Sequence, residues 1–273
     1  MTDELANDAI LTAAAFGSAP ETWPLPSATT PGQHWLRAVA AGGQGRFAAA
    51  RADLAALVHR RPCGRLASLA HSTQGSFLRQ LGWHALAREH DGRALALAGQ
   101  GPEAVEARTD ALIGLAADAL GVGRFRASAA LLATVAGPPA GDTDTLPAHR
   151  LGVRRAWVTA ELAMATGDGA TAVRHAELAA ELAPQTRSAR HRVKSEVVLA
   201  AALCCAGQTD RARAVADQAL EDTGRLGLIP LQWALARLLA DIGSTSRTAQ
   251  EIDDIRNRCA DLVHQRGGEW RQR

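Results

Sequence analysis

The stretch Gly167-Asp168-Gly169-Ala170-Thr171-Ala172 separates two Ala/Leu-rich runs, and the same design recurs along the chain. Equivalent breaks are Gly45-Arg46-Phe47-Ala48-Ala49-Ala50, Gly82-Trp83-His84-Ala85-Leu86-Ala87, Gly123-Arg124-Phe125-Arg126-Ala127-Ser128 and Gly207-Gln208-Thr209-Asp210-Arg211-Ala212. A weaker sixth stands at Gly243-Ser244-Thr245-Ser246-Arg247-Thr248, and successive glycines lie about 36 to 44 residues apart. A helix pair cannot bury its apolar face alone, so units of this length stack on their neighbours. No β-branched run alternates with polar residues, which leaves an all-α chain. The spacing therefore predicts a right-handed α-solenoid of about six helix-turn-helix repeats.

Three segments are expected. Residues 1–32 read as a short helix and a Pro/Ser-rich linker, because Pro24, Pro26 and Pro31 exclude a continuous helix. Residues 33–266 form the repeat domain, with a loop at the breaker-rich stretch 137–145, and residues 267–273 are a polar tail. In the last helix Ile252, Ile255, Cys259, Leu262 and Val263 make one apolar stripe, as a C-terminal cap should. The N-terminal helix, with Leu5, Ile10 and Leu11, is a poorer cap. It is expected to fold back or to dock on a partner, and to be dispensable for the array's stability.

Composition narrows the function. Of 273 residues, 47% are apolar but only 4% aromatic, with no tyrosine, so the core is built of Ala, Leu and Val. The formal charge of +2 does not point to general nucleic-acid binding, and direct DNA binding is not expected because no helix-turn-helix segment with a clustered basic recognition helix stands apart from the repeats. Lys194 is the only lysine, and most arginines read as solvated helix faces. Four cysteines, Cys63, Cys204, Cys205 and Cys259, lack C-x-x-C spacing and read as reduced thiols of a cytoplasmic protein. No stretch has the apolar length of a membrane span.

The repeats resemble the tetratricopeptide family. The fourth unit carries the resemblance through Ala160, Ala163, Gly167, Ala172, Ala176, Ala179 and Pro184. Ala38, Phe47, Ala50 and Pro62 match in the first unit, Gly75 and Ala87 in the second, and Leu115, Phe125 and Leu132 in the third. Missing tyrosines and a long third-to-fourth spacing depart from the family pattern. The resemblance implies that the first helix of each pair lines a concave groove.

A search for catalytic motifs is negative. Gly121-Val122-Gly123 lacks a phosphate-loop ending, and neither His-Glu-x-x-His nor a Gly-x-Ser-x-Gly elbow occurs. Glu89-His90-Asp91 holds metal-ligand residue types, but adjacent helical side chains diverge. No enzyme activity, cofactor or metal is expected. Alignment on the glycines instead places Trp35, Ser72, Ile113, Trp157, Val197 and Trp233 in one register, taken to face the groove. One turn later come Ser76, Glu161 and Arg237; one turn earlier come Arg154 and Lys194. Arg79, with Gln80, extends the polar run His71 to Gln80 on the same side.

Trp and Arg dominate binding hot spots. The leading expectation is thus a non-enzymatic scaffold or regulatory module that binds a partner peptide in the groove. Trp35, Trp157 and Trp233 would anchor it, Arg79, Arg154, Lys194 and Arg237 would orient acidic groups, and Ser72, Ser76 and Glu161 would complete the surface. The alternative is a ligand-sensing regulator of transcription. It would bind a small anionic metabolite or signalling peptide in a compact pocket between 71–80 and 191–194.

Overall fold

Local chemistry at the breaks sets the architecture. In the computed structural model, which describes residues 2–59, 64–101, 104–135 and 145–271, every one of the six break glycines has a positive φ, between 73° and 88°. At five of them the glycine N–H donates to the carbonyl three residues back and the next N–H to the carbonyl five back, as in Gly167 to Met164 and Asp168 to Ala163. This is a Schellman stop, which satisfies the last carbonyls of a helix and needs a left-handed residue that glycine supplies without strain. Gly243, the weaker sixth, keeps only a bond to Leu239.

Helix is the only regular secondary structure among the described residues, which contain no strand. They form α1 (Thr2–Phe16), α2 (Pro31–Gly43), α3 (Phe47–His59), α4 (Arg65–Gln80), α5 (His84–Leu97), α6 (Val105–Gly121) and α7 (Phe125–Thr134). There follow α8 (Leu146–Ala165), α9 (Gly169–Leu182), a 3-10 turn, α10 (Ala189–Cys205), α11 (Thr209–Arg225), α12 (Ile229–Ile242) and α13 (Ala249–Gln265). Thirteen α-helices thus pack in chain order, and each break glycine stands between an even-numbered helix and the odd-numbered one after it. Pro62, Cys63 and most of the stretch 137–145 lie outside the described residues.

Two layers result. Each even-numbered helix from α2 to α12 also touches the next even-numbered one, whereas the odd-numbered helices from α3 onward pack on their sequence neighbours. Small residues permit this close approach: Ala160, Ala163, Ala172, Ala176 and Ala179 are all buried in one cluster with Trp157 and Leu203. Phe125, by contrast, is partly exposed at the start of the short α7.

The two ends of the chain meet. Val263 of α13 is buried in the same cluster as Ala38, Phe47 and Leu57 of the first pair. The Ala48 N–H donates to the Arg266 carbonyl at 2.9 Å, and Arg266 Nη1 donates to the Gln44 carbonyl at 2.9 Å. The Arg271 N–H reaches the Leu81 carbonyl at 2.9 Å, and Trp83 Nε1 reaches the Glu269 carbonyl at 2.7 Å. The first and last helix pairs are therefore joined, and the even-numbered helices surround a partly open cavity. Residues 267–271, expected as a polar tail, form this closure, with Trp270 packed against the first cluster.

The N-terminal segment folds back. Leu11, Ala14, Ala15 and Leu25 are buried in that same cluster, Gln33 Nε2 donates to Asp8 Oδ1 at 2.9 Å, and the Ala189 N–H donates to the Gly17 carbonyl at 3.0 Å. The expectation of a dispensable segment is corrected by this burial: removing residues 1–30 would uncover apolar surface of the core. The reason is non-local, since α1 finds its apolar partners on α2 and α10, far along the chain.

Candidate functional site

The interior holds a cavity of about 440 Å³, to which all six even-numbered helices from α2 to α12 contribute, with His84 from α5. Small-molecule sites commonly span about 300–1,000 Å³. Helical periodicity selects the lining: Arg154, Trp157, Val158 and Glu161 on α8 fall on one face, as do Ile113, Ala117 and Leu120 on α6. A smaller cavity of about 30 Å³ adjoins it under Phe16, and Ser76, Arg154 and Arg190 line both.

Charges inside the ring are satisfied unequally. Arg79 donates through Nη1 to Asp91 of α5 and, at 2.9 Å, to Asp118 of α6. Although burial works against its charge, these carboxylates hold the Arg79 guanidinium above its ordinary range. Burial pushes the Asp118 carboxyl up to about 7 against the pull of Arg79, and the neighbouring Asp91 acts in the same upward direction. Two glycines make room for this cluster. A Cβ on Gly75 would stand 2.6 Å from Asp91 Oδ2, and one on Gly114 would stand 2.4 Å from Asp91 Oδ1.

Asp110 is shared. Its Oδ1 accepts from Arg150 Nη1 at 3.1 Å and lies 2.9 Å from Arg154 Nε, which is not aligned to donate to it. Burial lowers the Arg154 pKa, and the neighbouring Arg150 and Arg79 add to that effect against Asp110. At the other side of Trp157, Lys194 Nζ pairs with Glu161 Oε1 at 3.1 Å.

Arg190 is different. Among the described residues no carboxylate pairs with it, and burial, followed by repulsion from Arg154 and Arg150, pushes its pKa down to about 10. Its stem crosses the ring to α2, where a Cβ on Gly43 would lie 3.2 Å from Arg190 Cδ. It stands in the first turn of α10, where the helix dipole adds positive potential. A half-buried charge without a partner is poorly compensated, and such an orphan lining a cavity marks a place for an opposite charge. His191 beside it is buried, stacks on Trp157 with 5.3 Å between ring centroids, and is held well below its ordinary pKa by burial and then Arg190. His84 also faces the cavity, and its buried Nδ1 has no hydrogen-bond partner.

The residues expected from sequence are distributed as follows. Ser76, Arg79, Arg154, Trp157, Glu161 and Lys194 line the large cavity. Trp35 and Ser72 line the small one. Trp35 Nε1 donates to Thr73 Oγ1 at 3.0 Å and Trp157 Nε1 to Ser195 Oγ at 2.9 Å, so each indole seals the seam to the next even-numbered helix. Trp233 and Arg237 join neither cavity: Trp233 stacks on Trp270 at 4.1 Å, and Arg237 is exposed on α12. Sequence reasoning missed Arg190, Arg150, Asp110, His84 and Phe16. Arg190 and His191 sit one turn before Lys194, and that helical spacing was the available signal for them. Asp91, read among solvated metal-ligand types, is instead fully buried against Arg79. Among the described residues no helix is long and apolar enough to cross a membrane, and no group of three or more metal-ligating side chains is assembled. Comparison with known proteins finds neither a matching family model nor a matching curated sequence.

Proposed function

We propose that the protein is a non-enzymatic, cytoplasmic sensing module that binds a small anionic ligand inside the ring. In this reading the chain is a right-handed α-solenoid of about six tetratricopeptide-like pairs, drawn closed by residues 266–271. The bound state is passed to a protein partner, with regulation of transcription as the expected setting and without direct contact to DNA. The observation that carries the proposal is Arg190, an unpaired guanidinium at a cavity of about 440 Å³ flanked by Arg150 and Arg154. Unlike those two, it has no carboxylate among the described residues, so a bound anion would supply the missing charge.

A partner peptide laid along an open groove is served less well. Trp233 and Arg237, two of its expected contacts, lie away from the cavity, and residues 266–271 cross from the last pair to the first. Thermal unfolding with acetate, octanoate, inorganic phosphate and citrate as separate probes tests the proposal, because a ligand of the native state raises its midpoint. With at least one of these anions wild type should show a concentration-dependent rise beyond that of equal ionic strength chloride, and Arg190→Ala should lose it. An equal response of the two proteins, or none in wild type with any carboxylate or phosphate probe, would overturn it.

A further inference from the structure

We infer that the ligand is an amphipathic monoanion, its single charged head held at Arg190 and Arg154 and its apolar body laid along α6 and α8. This rests on the small-anion proposal above and specifies its chemistry.

Arg154 and Arg190 border both the large cavity and the small one under Phe16, whereas Ala117 and Leu120 line only the large one, as do the paired Arg79, Lys194 and Glu161. The least compensated positive groups, Arg154 and Arg190, therefore stand where the two cavities adjoin, and the apolar face of α6 lines the rest of the large one. From Ile113 to Leu120 that face runs about 10 Å at the helical rise per residue. Val158 on α8 and Leu231 on α12 border the same space. Water against these side chains would be displaced by an apolar chain, which is the favourable term for such a body.

A polyanion does not fit this arrangement. Arg79 is already engaged by Asp91 and Asp118, and Lys194 by Glu161, so neither offers an unpaired positive charge to a second anionic group. Arg154 is partly compensated by Asp110, and among the described residues Arg190 alone of these cavity cations lacks a carboxylate. One negative charge balances what the cavity leaves uncompensated; further ones would face Asp110 and Glu161. A cationic head is excluded from the same end by Arg150, Arg154 and Arg190.

Titration calorimetry with octanoate, acetate, citrate and octylamine tests the inference on the full chain. Octanoate should bind at least tenfold more tightly than acetate or citrate, and octylamine should not bind. Leu120→Gln, a polar replacement of similar size facing the cavity, should weaken octanoate severalfold while leaving acetate unchanged. Arg190→Ala should abolish both, and circular dichroism with thermal unfolding checks that each variant is folded. Equal affinity for acetate and octanoate, or tighter binding of citrate, would overturn the amphipathic class while leaving the anion site standing. Octanoate binding that survives in Arg190→Ala would show adsorption to apolar surface and overturn the head-group assignment. If no anion binds, the underlying functional proposal falls as well.

Discussion

Arg79 and Arg190 both reach into the ring, yet they are built to opposite ends. Arg79 on α4 meets two carboxylates, Asp91 and Asp118, and Gly75 and Gly114 lack the Cβ atoms that would collide with Asp91. Arg190 on α10 meets none among the described residues and has two arginines for neighbours. Between α4 and α6 charge is spent on holding three helices in register. Between α8 and α10 it is left over. A buried ion cluster that is complete is structural, and an incomplete one next to open volume is where a ligand's charge belongs.

The widest gap between the two should appear on neutralising each arginine. Arg79→Leu leaves Asp91 and Asp118 buried without a counter-cation, a change that costs about 3–5 kcal/mol in comparable settings. Arg190→Leu removes no partner and should lie within about 1 kcal/mol of wild type, or be stabilising. Denaturant unfolding of both variants measures the difference. Equal losses would mean that Arg190 is a framework residue, and the comparison would collapse.

Gly114→Ala probes the framework from the other side. Its Cβ would stand 2.4 Å from Asp91 Oδ1, so the carboxylate must move and its contact with Arg79 loosen. Overpacking of this kind costs roughly 1–3 kcal/mol. A Gly92→Ala control, where a Cβ meets nothing within 4 Å, should show no such loss in the same unfolding measurement.

A further effect is expected in pH dependence. Asp118 has a folded-state pKa raised to about 7, above its ordinary value of 3.8. The folded protein therefore binds more protons than the unfolded one between those values. Stability from this group is fully present below about pH 4 and is lost as pH rises through 7. Buried His191 and half-buried His84, both held below their ordinary pKa, act oppositely: their contribution is present above about pH 6.5 and is lost as pH falls below it. Comparison with Asp118→Asn cancels the histidines: wild type should gain on the variant between pH 8 and pH 5. A constant difference across that window would show that Asp118 does not titrate there.

Much of the helical frame could be read locally. The break glycines announce the stops because a left-handed residue is a property of a few neighbouring atoms, and the Ala-rich runs announce close packing. The register argument likewise grouped Arg154, Trp157, Glu161 and Lys194, which all line the large cavity, since one helical face repeats every three or four residues. It erred at Trp233, whose neighbour Trp270 lies 37 positions on in a segment read as a polar tail. It was silent on Arg190, because an arginine looks the same in sequence whether a carboxylate awaits it or not.

What the chain settled by itself is therefore its helices and their stops, set by interactions within about six residues. Tertiary structure alone decided that the ends meet, that α1 joins the core, and that Arg79 is paired while Arg190 is not. Those outcomes depend on side chains brought together across tens to hundreds of residues. Burial then makes each match or mismatch of charge count, since in a low-dielectric interior a partner a few ångströms away decides whether a charge holds the fold or stands open to a ligand.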